Sequence, residues 1–143
     1  MIRRDAAVLA VALAALGLAG CEEKCPTESP EVQRVQDCTY PPGAQVSMRL
    51  QVCEKCNQDA TECQVDIQGN TIQLDPVSEA CEDASSCPPG CNLDPNITCT
   101  FTAPAEEGAY TVIVYDPATN ETREGVLTVA AGASPSCEFP TFR

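Results

Sequence analysis

Cysteine is unusually frequent in this sequence, with eleven residues among 143, and this limits the kinds of fold that the chain can adopt. Cysteine at this density is typical of small exported domains, where disulfides supplement a modest hydrophobic core. The sequence has three Phe, three Tyr and no Trp, so its core is poor in the large aromatic side chains that bury most apolar area. We therefore expect crosslinks to supply part of the stability, at about 2–4 kcal/mol each. Because eleven is an odd number, complete pairing requires one cysteine to have another fate.

Residues 1–20 have the layout of a secretory signal peptide. Arg3 and Arg4 form a positive start, and Ala6 to Gly20 is an uncharged run of small apolar residues. A permanent transmembrane helix needs roughly twenty strongly apolar residues, whereas this run is shorter and is built mostly from Ala and Gly. We therefore expect a leader that is removed on export. Twin-arginine export is an alternative route, although the Phe-Leu step that usually follows the arginines is missing.

The apolar run ends in Leu18-Ala19-Gly20-Cys21, which resembles the lipobox of bacterial lipoproteins. The resemblance implies that Cys21 is acylated, becomes the first residue of the mature chain, and gives the protein a lipid bilayer as its partner; two or more acyl chains make such anchoring effectively permanent. Ordinary secretion is the alternative. Setting Cys21 aside leaves an even number of cysteines, which we expect to form five structural disulfides: Cys25, Cys38, Cys53, Cys56, Cys63, Cys81, Cys87, Cys91, Cys99 and Cys137.

These features divide the chain into three parts. Residues 1–20 are the signal peptide, residues 21–33 are a short lipidated lead-in, and residues 34–143 are a disulfide-stapled β domain. A mature chain of 123 residues makes one domain. If Cys25 pairs within that domain, the four residues that separate the bilayer from the fold reach only roughly 15 Å. The domain would then sit close to its membrane.

Charge narrows the range of partners. Without Arg3, Arg4 and Asp5 the mature chain has 6 basic and 20 acidic side chains, a net charge of −14. A field of that sign repels phosphates and anionic head groups, so the charge excludes nucleic acid as a partner and leaves the lipid to hold the chain at its membrane. Solubility is the plain interpretation of the acidity. Attraction of cations or of a basic partner is the alternative.

The mature chain shows the period-two hydrophobic pattern of β-strands and no convincing helical period. The clearest strand is predicted from Ala44 to Cys53, where apolar and polar residues alternate strictly. Gly69-Asn70 supplies a turn between two further alternating segments, which predicts a hairpin. Additional strands are predicted at residues 97–101, 110–114 and 125–129. Between them, residues 75–96 form a long connection with Cys81, Cys87 and Cys91, which we interpret as a stapled loop and as the place where a binding site would be expected.

Six or seven short strands with turns between them predict a small antiparallel β-sandwich. Glu107-Gly108-Ala109-Tyr110-Thr111-Val112 resembles the corner before strand F of immunoglobulin-like domains. The resemblance implies a disulfide-rich, all-β, immunoglobulin-like or fibronectin-type sandwich of about seven strands, in which the Tyr110 hydroxyl binds the backbone at the corner. Val112 stands where antibody-type domains have their second core Cys, and a core Trp is missing. An unrelated cysteine-rich β fold is the alternative.

Two cysteine motifs allow chemistry to be considered. Cys53-Glu54-Lys55-Cys56 has the CxxC spacing of thioredoxin-like proteins, but polar turn formers follow it where a helix would be needed to stabilise a thiolate. Cys53, Cys56, Cys87 and Cys91 also have the type and spacing of tetrahedral zinc ligands. Exported cysteines usually oxidise before they bind metal, so we expect structural disulfides at all four positions, and no metal or other cofactor.

The rest of the composition disfavours hydrolytic catalysis. The chain has no His, which removes the commonest general base and the His-dependent triads and metal sites. A calcium site could be formed by acids of the Cys-rich connection, but no repeat or EF-hand spacing supports one: Asp75, Glu79, Glu82 and Asp83. We therefore expect no enzymatic activity.

Two classes of function remain. The first, which we favour, is an envelope lipoprotein whose domain binds another envelope protein or a glycan, or is a structural part of the cell surface. The second is a small exported inhibitor or thiol-redox protein that acts through the Cys-rich loop or the CxxC motif. Glu22, directly after the lipid site, favours the outer membrane over the inner one, with the domain on the periplasmic or surface face. The sequence fixes neither the partner nor the full pairing of the cysteines. Proximity in sequence suggests that Cys56 and Cys63 close the loop between two strands and that Cys137 ties down the C-terminal tail.

Overall fold

The computed structural model describes residues 25–81, 87–93 and 96–141, and their regular structure is entirely β. The predicted signal peptide and Cys21 lie outside the described residues. No helix in the described part of the chain is long and apolar enough to cross a membrane. The strands are β1 (Thr27–Glu28), β2 (Glu31–Val35), β3 (Asp37–Tyr40), β4 (Gln45–Cys53), β5 (Gln58–Gln68), β6 (Thr71–Ala80), β7 (Asn96–Thr102), β8 (Gly108–Asp116), β9 (Glu121–Val129) and β10 (Ser136–Glu138).

The strands form two sheets. The larger sheet has the order β1-β6-β8-β9-β3-β10, with β5 paired to β6, and the smaller sheet has the order β2-β4-β7. Most neighbours are antiparallel, but β3 runs parallel to β9 and β6 runs parallel to β8. Because β5 and β6 form the predicted hairpin around Gly69-Asn70, the second strand of that hairpin is the one that lies beside β8.

The all-β, disulfide-rich prediction is confirmed, and three finer predictions are wrong. The described residues contain ten strands where about seven were expected, because β1, β2, β3 and β10 are five residues long or shorter and a short run shows little of an alternating pattern. The arrangement is not wholly antiparallel, since parallel neighbours come from pairings between distant segments that local patterns do not show. The connection predicted from Asp75 to Asn96 is shorter than expected, because β6 continues to Ala80.

One buried cluster lies between the inner faces of the two sheets. The period-two pattern of β4 holds residue by residue: Val46, Met48, Leu50 and Val52 are fully buried, and the residues between them face outward. Burial of each such aliphatic side chain contributes about 1.5–3 kcal/mol. The other strands contribute mostly β-branched and aliphatic side chains, so the core is held by many small groups: Val32, Val35, Ile72, Leu74, Ile97, Val112, Val114, Leu127 and Val129.

The chain changes sheets at Gln36. β2 pairs with β4 in the small sheet, whereas β3, which begins one residue after Gln36, pairs with β9 in the large one. The Gln36 side chain is buried at this crossing, and its Oε1 accepts the Arg49 N–H at 2.9 Å. The crossing backbone passes over Gly125 of β9, where an added Cβ would stand 2.7 Å from the Gln36 carbonyl oxygen. Only a residue without a side chain fits there.

Candidate functional site

The ten cysteines from Cys25 onward are all paired in the structure, and their connectivity could not be read from their order in the chain. Proximity in sequence had suggested a Cys56–Cys63 bridge, which is wrong: β5 turns Cys63 toward β7 of the other sheet. The last disulfide fixes the C-terminal tail, as predicted for Cys137. The five pairs are Cys25–Cys81, Cys38–Cys137, Cys53–Cys91, Cys56–Cys87 and Cys63–Cys99.

The CxxC motif does not close on itself. Cys53 is the last residue of β4 and binds Cys91, while Cys56, in the turn that follows, binds Cys87. Between the two crosslinks, Glu54 and Asn92 exchange a pair of backbone hydrogen bonds of 3.2 and 3.0 Å. The motif is thus the anchor to which the loop from Cys87 to Cys91 is fastened at both ends.

The cysteines considered as zinc ligands are therefore used as two disulfides. Within the described residues, one group of cysteines and carboxylates has its ligand atoms within 4.8 Å of one another, namely Cys25, Glu79 and Cys81. Both cysteines of that group are bonded to each other, so neither is a free thiolate for a metal. Of the residues considered for calcium, Asp75 and Glu79 lie in β6, and Glu82 and Asp83 lie outside the described residues.

The N-terminal end of the described chain is fastened beside this loop. Cys25 bonds Cys81, and the carbonyl of Pro26 accepts the Ala80 N–H at 3.0 Å. A polar chain continues from there, because the buried Gln58 donates from its amide to the Glu28 carboxylate. The side-chain Oε1 of Gln58 in turn accepts the Lys55 backbone N–H at 3.1 Å. Strand β1 is thereby joined to the turn that carries Cys56.

We call this end of the domain, with the disulfides Cys25–Cys81, Cys53–Cys91 and Cys56–Cys87, the stapled pole. Its surface holds an open groove of about 540 Å³, lined by residues 54–56, 58–59 and 88–92. Pro88 and Pro89, which line it, are exposed, and the nearby Leu93 is 44% exposed. The sequence pointed to the Cys-rich segment as the place for a binding site, but no motif predicted that β1 and Cys25 would lie beside that segment.

A second open groove, of about 520 Å³, lies along β9 between the Gln36 crossing and the C-terminal tail. Two of the few basic side chains line it, but both are engaged by the protein itself. The Arg34 guanidinium lies over the Phe139 ring, 5.0 Å from its centroid, and donates to the Pro140 carbonyl. Arg123 pairs with the carboxylate of Asp116 at 3.3 Å. The charges in this groove therefore hold the tail and the β8–β9 turn in place.

Asp116, the last residue of β8, is a buried acid that no sequence motif singled out. Its carboxylate is fully buried and accepts hydrogen bonds from the Ala118 N–H at 3.1 Å and the Thr119 hydroxyl at 2.9 Å. Together with the Arg123 pair, these contacts satisfy both oxygens, as a buried charge requires. Asp and Asn commonly stabilise turns in this way. Asp116 is thus a structural residue of the turn.

Tyr110, the residue singled out for the corner before β8, is buried apart from a small exposed fraction. Its hydroxyl donates to the Glu106 carbonyl oxygen at 2.9 Å. This is the contact that the corner motif predicts. The bond spans the turn between β7 and β8, at the end of the domain opposite the stapled pole.

The site that the structure offers is therefore a rigid surface: a disulfide-fastened pole and an acidic β domain. The ten cysteines from Cys25 onward are in disulfides, so none of them is a free thiolate. Comparison with protein-family models, with curated proteins and with solved structures finds no match for this chain.

Proposed function

We propose that the chain is a lipid-anchored envelope protein whose rigid β domain serves as a non-enzymatic binding or structural module. The observation that carries the proposal is the use of cysteine. The ten cysteines from Cys25 to Cys137 are bonded to one another, which leaves Cys21 as the one cysteine of the sequence without a disulfide partner among them. A cysteine left over from that pairing and placed directly after an apolar run, in Leu18-Ala19-Gly20-Cys21, is what acylation would use.

We further propose an exported location and an immunoglobulin-like fold for the domain. Five disulfides in one small domain support an oxidising compartment outside the cytoplasm. Glu22 supports the outer membrane, on its periplasmic or surface face. The Tyr110 corner supports an immunoglobulin-like relationship, in a variant that places β6 parallel beside β8. Such modules bind through their surfaces, so an envelope protein or a glycan is the proposed ligand class, and the net charge of −14 disfavours nucleic acid.

Acylation is tested by the substitution Cys21→Ser. In cells fed a labelled fatty acid, the wild-type protein should carry label and remain with the membranes. The variant should lose the label and should either leave the membranes or remain with its leader uncleaved. Thioether attachment needs the sulfur of Cys21, so no other residue of the leader can replace it. Label that persists in the variant would show that the lipid is attached elsewhere, and absence of label from the wild-type protein would show that the leader acts only as a signal for secretion.

A second candidate function is supported by the loop between Cys87 and Cys91. This loop contains Pro88 and Pro89, is exposed, and is held by a disulfide at each end. Rigid exposed loops lose little conformational entropy on binding, which suits an inhibitor. Inhibition of a protease by the purified domain would favour this candidate, whereas one stable partner recovered from membranes would favour the binding module.

A further inference from the structure

We propose that the stapled pole faces the bilayer and contacts its headgroup layer, so that the opposite pole is the end presented to other molecules. The inference rests on the proposed acylation of Cys21. It identifies the surface on which the domain stands and the chemistry of what that surface meets, a lipid membrane.

The chain between the proposed lipid site and the folded domain is short. Three residues separate Cys21 from Cys25, so the two Cα atoms are at most about 14 Å apart even in a fully extended chain. Each headgroup layer of a bilayer is roughly 5–8 Å thick, from the difference between the total and hydrocarbon thicknesses. Cys25 therefore cannot move far beyond the headgroups to which acylated Cys21 would be bound.

Cys25 is joined by covalent and hydrogen bonds to the rest of the stapled pole. Its disulfide to Cys81 holds it at the end of β6, and the Glu28, Gln58 and Lys55 contacts join that end to the turn after β4. The pairs Cys53–Cys91 and Cys56–Cys87 then fasten the exposed loop to the same turn. The short tether thus ends on a rigid block, and the whole stapled pole must stay near the membrane.

The opposite pole lies a full strand length away from the stapled pole. It consists of the turns at residues 41–44, 69–70, 103–107 and 130–135, which meet at the other ends of the long strands. A nine-residue strand such as β4 spans about 30 Å. Since that distance is roughly twice the reach of the tether, the opposite pole stands clear of the headgroups when the stapled pole is in contact with them.

The surface chemistry of the stapled pole fits a contact with the headgroup layer. Leu93, Pro88 and Pro89 are exposed apolar side chains that lose water-exposed area at an interface. Lys55 is exposed and can reach lipid phosphates, while Glu28 and Asp59 are exposed acids that an anionic membrane repels. The contact therefore depends on the tether and is strongest on a zwitterionic surface.

The proposed orientation changes where on the domain a binding site for a partner should be sought. Loops carry binding sites more often than strands do, and the sequence pointed to the Cys-rich loop for that reason. If this loop is turned to the bilayer, a large partner cannot reach it. The accessible candidates are then the opposite pole and the outer faces of the sheets, where Tyr115 and Val126 are exposed large side chains.

The absence of Trp from the sequence permits a direct test. One variant carries Leu93→Trp at the stapled pole, and the matched control carries Ala131→Trp in an exposed turn of the opposite pole. Each lipidated protein is reconstituted into phosphatidylcholine vesicles in which part of the lipid carries a nitroxide on its headgroup, and its Trp fluorescence is compared with that in the same vesicles without nitroxide. A nitroxide quenches only nearby indoles, so the Leu93→Trp protein should lose intensity and the Ala131→Trp protein should keep it.

Failure of this inference can be told apart from failure of the anchoring proposal. If both variants float with the vesicles but quenching is equal, absent from both or stronger at Ala131→Trp, the anchor stands and the orientation is overturned. If neither variant floats with the vesicles, acylation itself is overturned, and the proposed contact is overturned with it. Loss of fluorescence confined to Leu93→Trp, in protein that floats, supports both.

Discussion

At the scale of single residues, Tyr110 shows how one side chain fixes a turn. Its ring is part of the core and its hydroxyl binds the Glu106 carbonyl, so Tyr110→Phe keeps the packing and removes only the hydrogen bond. We expect the free energy of unfolding to fall by about 1 kcal/mol, the usual net value of such a bond. Urea denaturation of the oxidised protein measures this change through the midpoint.

The matched control for that substitution is Tyr115→Phe. Tyr115 is half exposed, and its hydroxyl bonds the Asn120 side chain at the surface, where water can replace it. Its removal should change stability by no more than about 0.5 kcal/mol. Equal midpoints for the Tyr110 and Tyr115 variants would contradict the role of the corner and weaken the immunoglobulin-like interpretation.

Residue-level patterns predicted much of the local structure and little of the pairing. The alternation in β4 and the turn at Gly69-Asn70 depend only on neighbouring residues, and both appear in the structure as expected. The pairing of Cys63 with Cys99 depends on how β5 is placed against β7, which no local pattern specifies. Parity predicts that ten cysteines can pair but leaves roughly nine times the 105 arrangements open to eight.

At the scale of elements, the crossing from β2 to β3 depends on Gly125 in β9. An added Cβ would lie 2.7 Å from the Gln36 carbonyl oxygen and 2.7 Å from Cγ1 of Val35, one a backbone atom and the other a buried side chain. Neither can move without displacing the crossing. We expect Gly125→Ala to destabilise the domain by about 1–3 kcal/mol, the usual cost of overpacking.

Thermal or urea unfolding checks this prediction, with Thr122→Ala as the control. Thr122 lies on the same strand but is exposed, so its truncation should leave stability nearly unchanged. If Gly125→Ala were as stable as the wild type, the crossing would have to be more adaptable than the close contacts imply. Gly125 had been predicted only as the start of a strand, because a close approach from a distant segment leaves no mark in the local sequence.

At the scale of the whole molecule, the disulfides unite the domain and determine which of its ends holds Cys25. Cys63–Cys99 joins the two sheets, Cys38–Cys137 holds the tail against β3, and the other three close the stapled pole. Cysteine parity predicted the five crosslinks, but not that three of them would meet at the end that holds Cys25, the end nearest the proposed lipid. That juxtaposition arises from the topology, because β4, β5 and β6 start or end there.

We expect Cys21 to carry the lipid and the other ten cysteines to be paired as in the structure. Peptide mapping by mass spectrometry tests this on mature protein extracted from membranes, alkylated without reduction and then digested. The digest should contain an acylated peptide that begins at Cys21, five crosslinked pairs that include Cys53–Cys91 and Cys56–Cys87, and no alkylated cysteine. Alkylated Cys53 and Cys56, or Cys21 found without lipid, would contradict it.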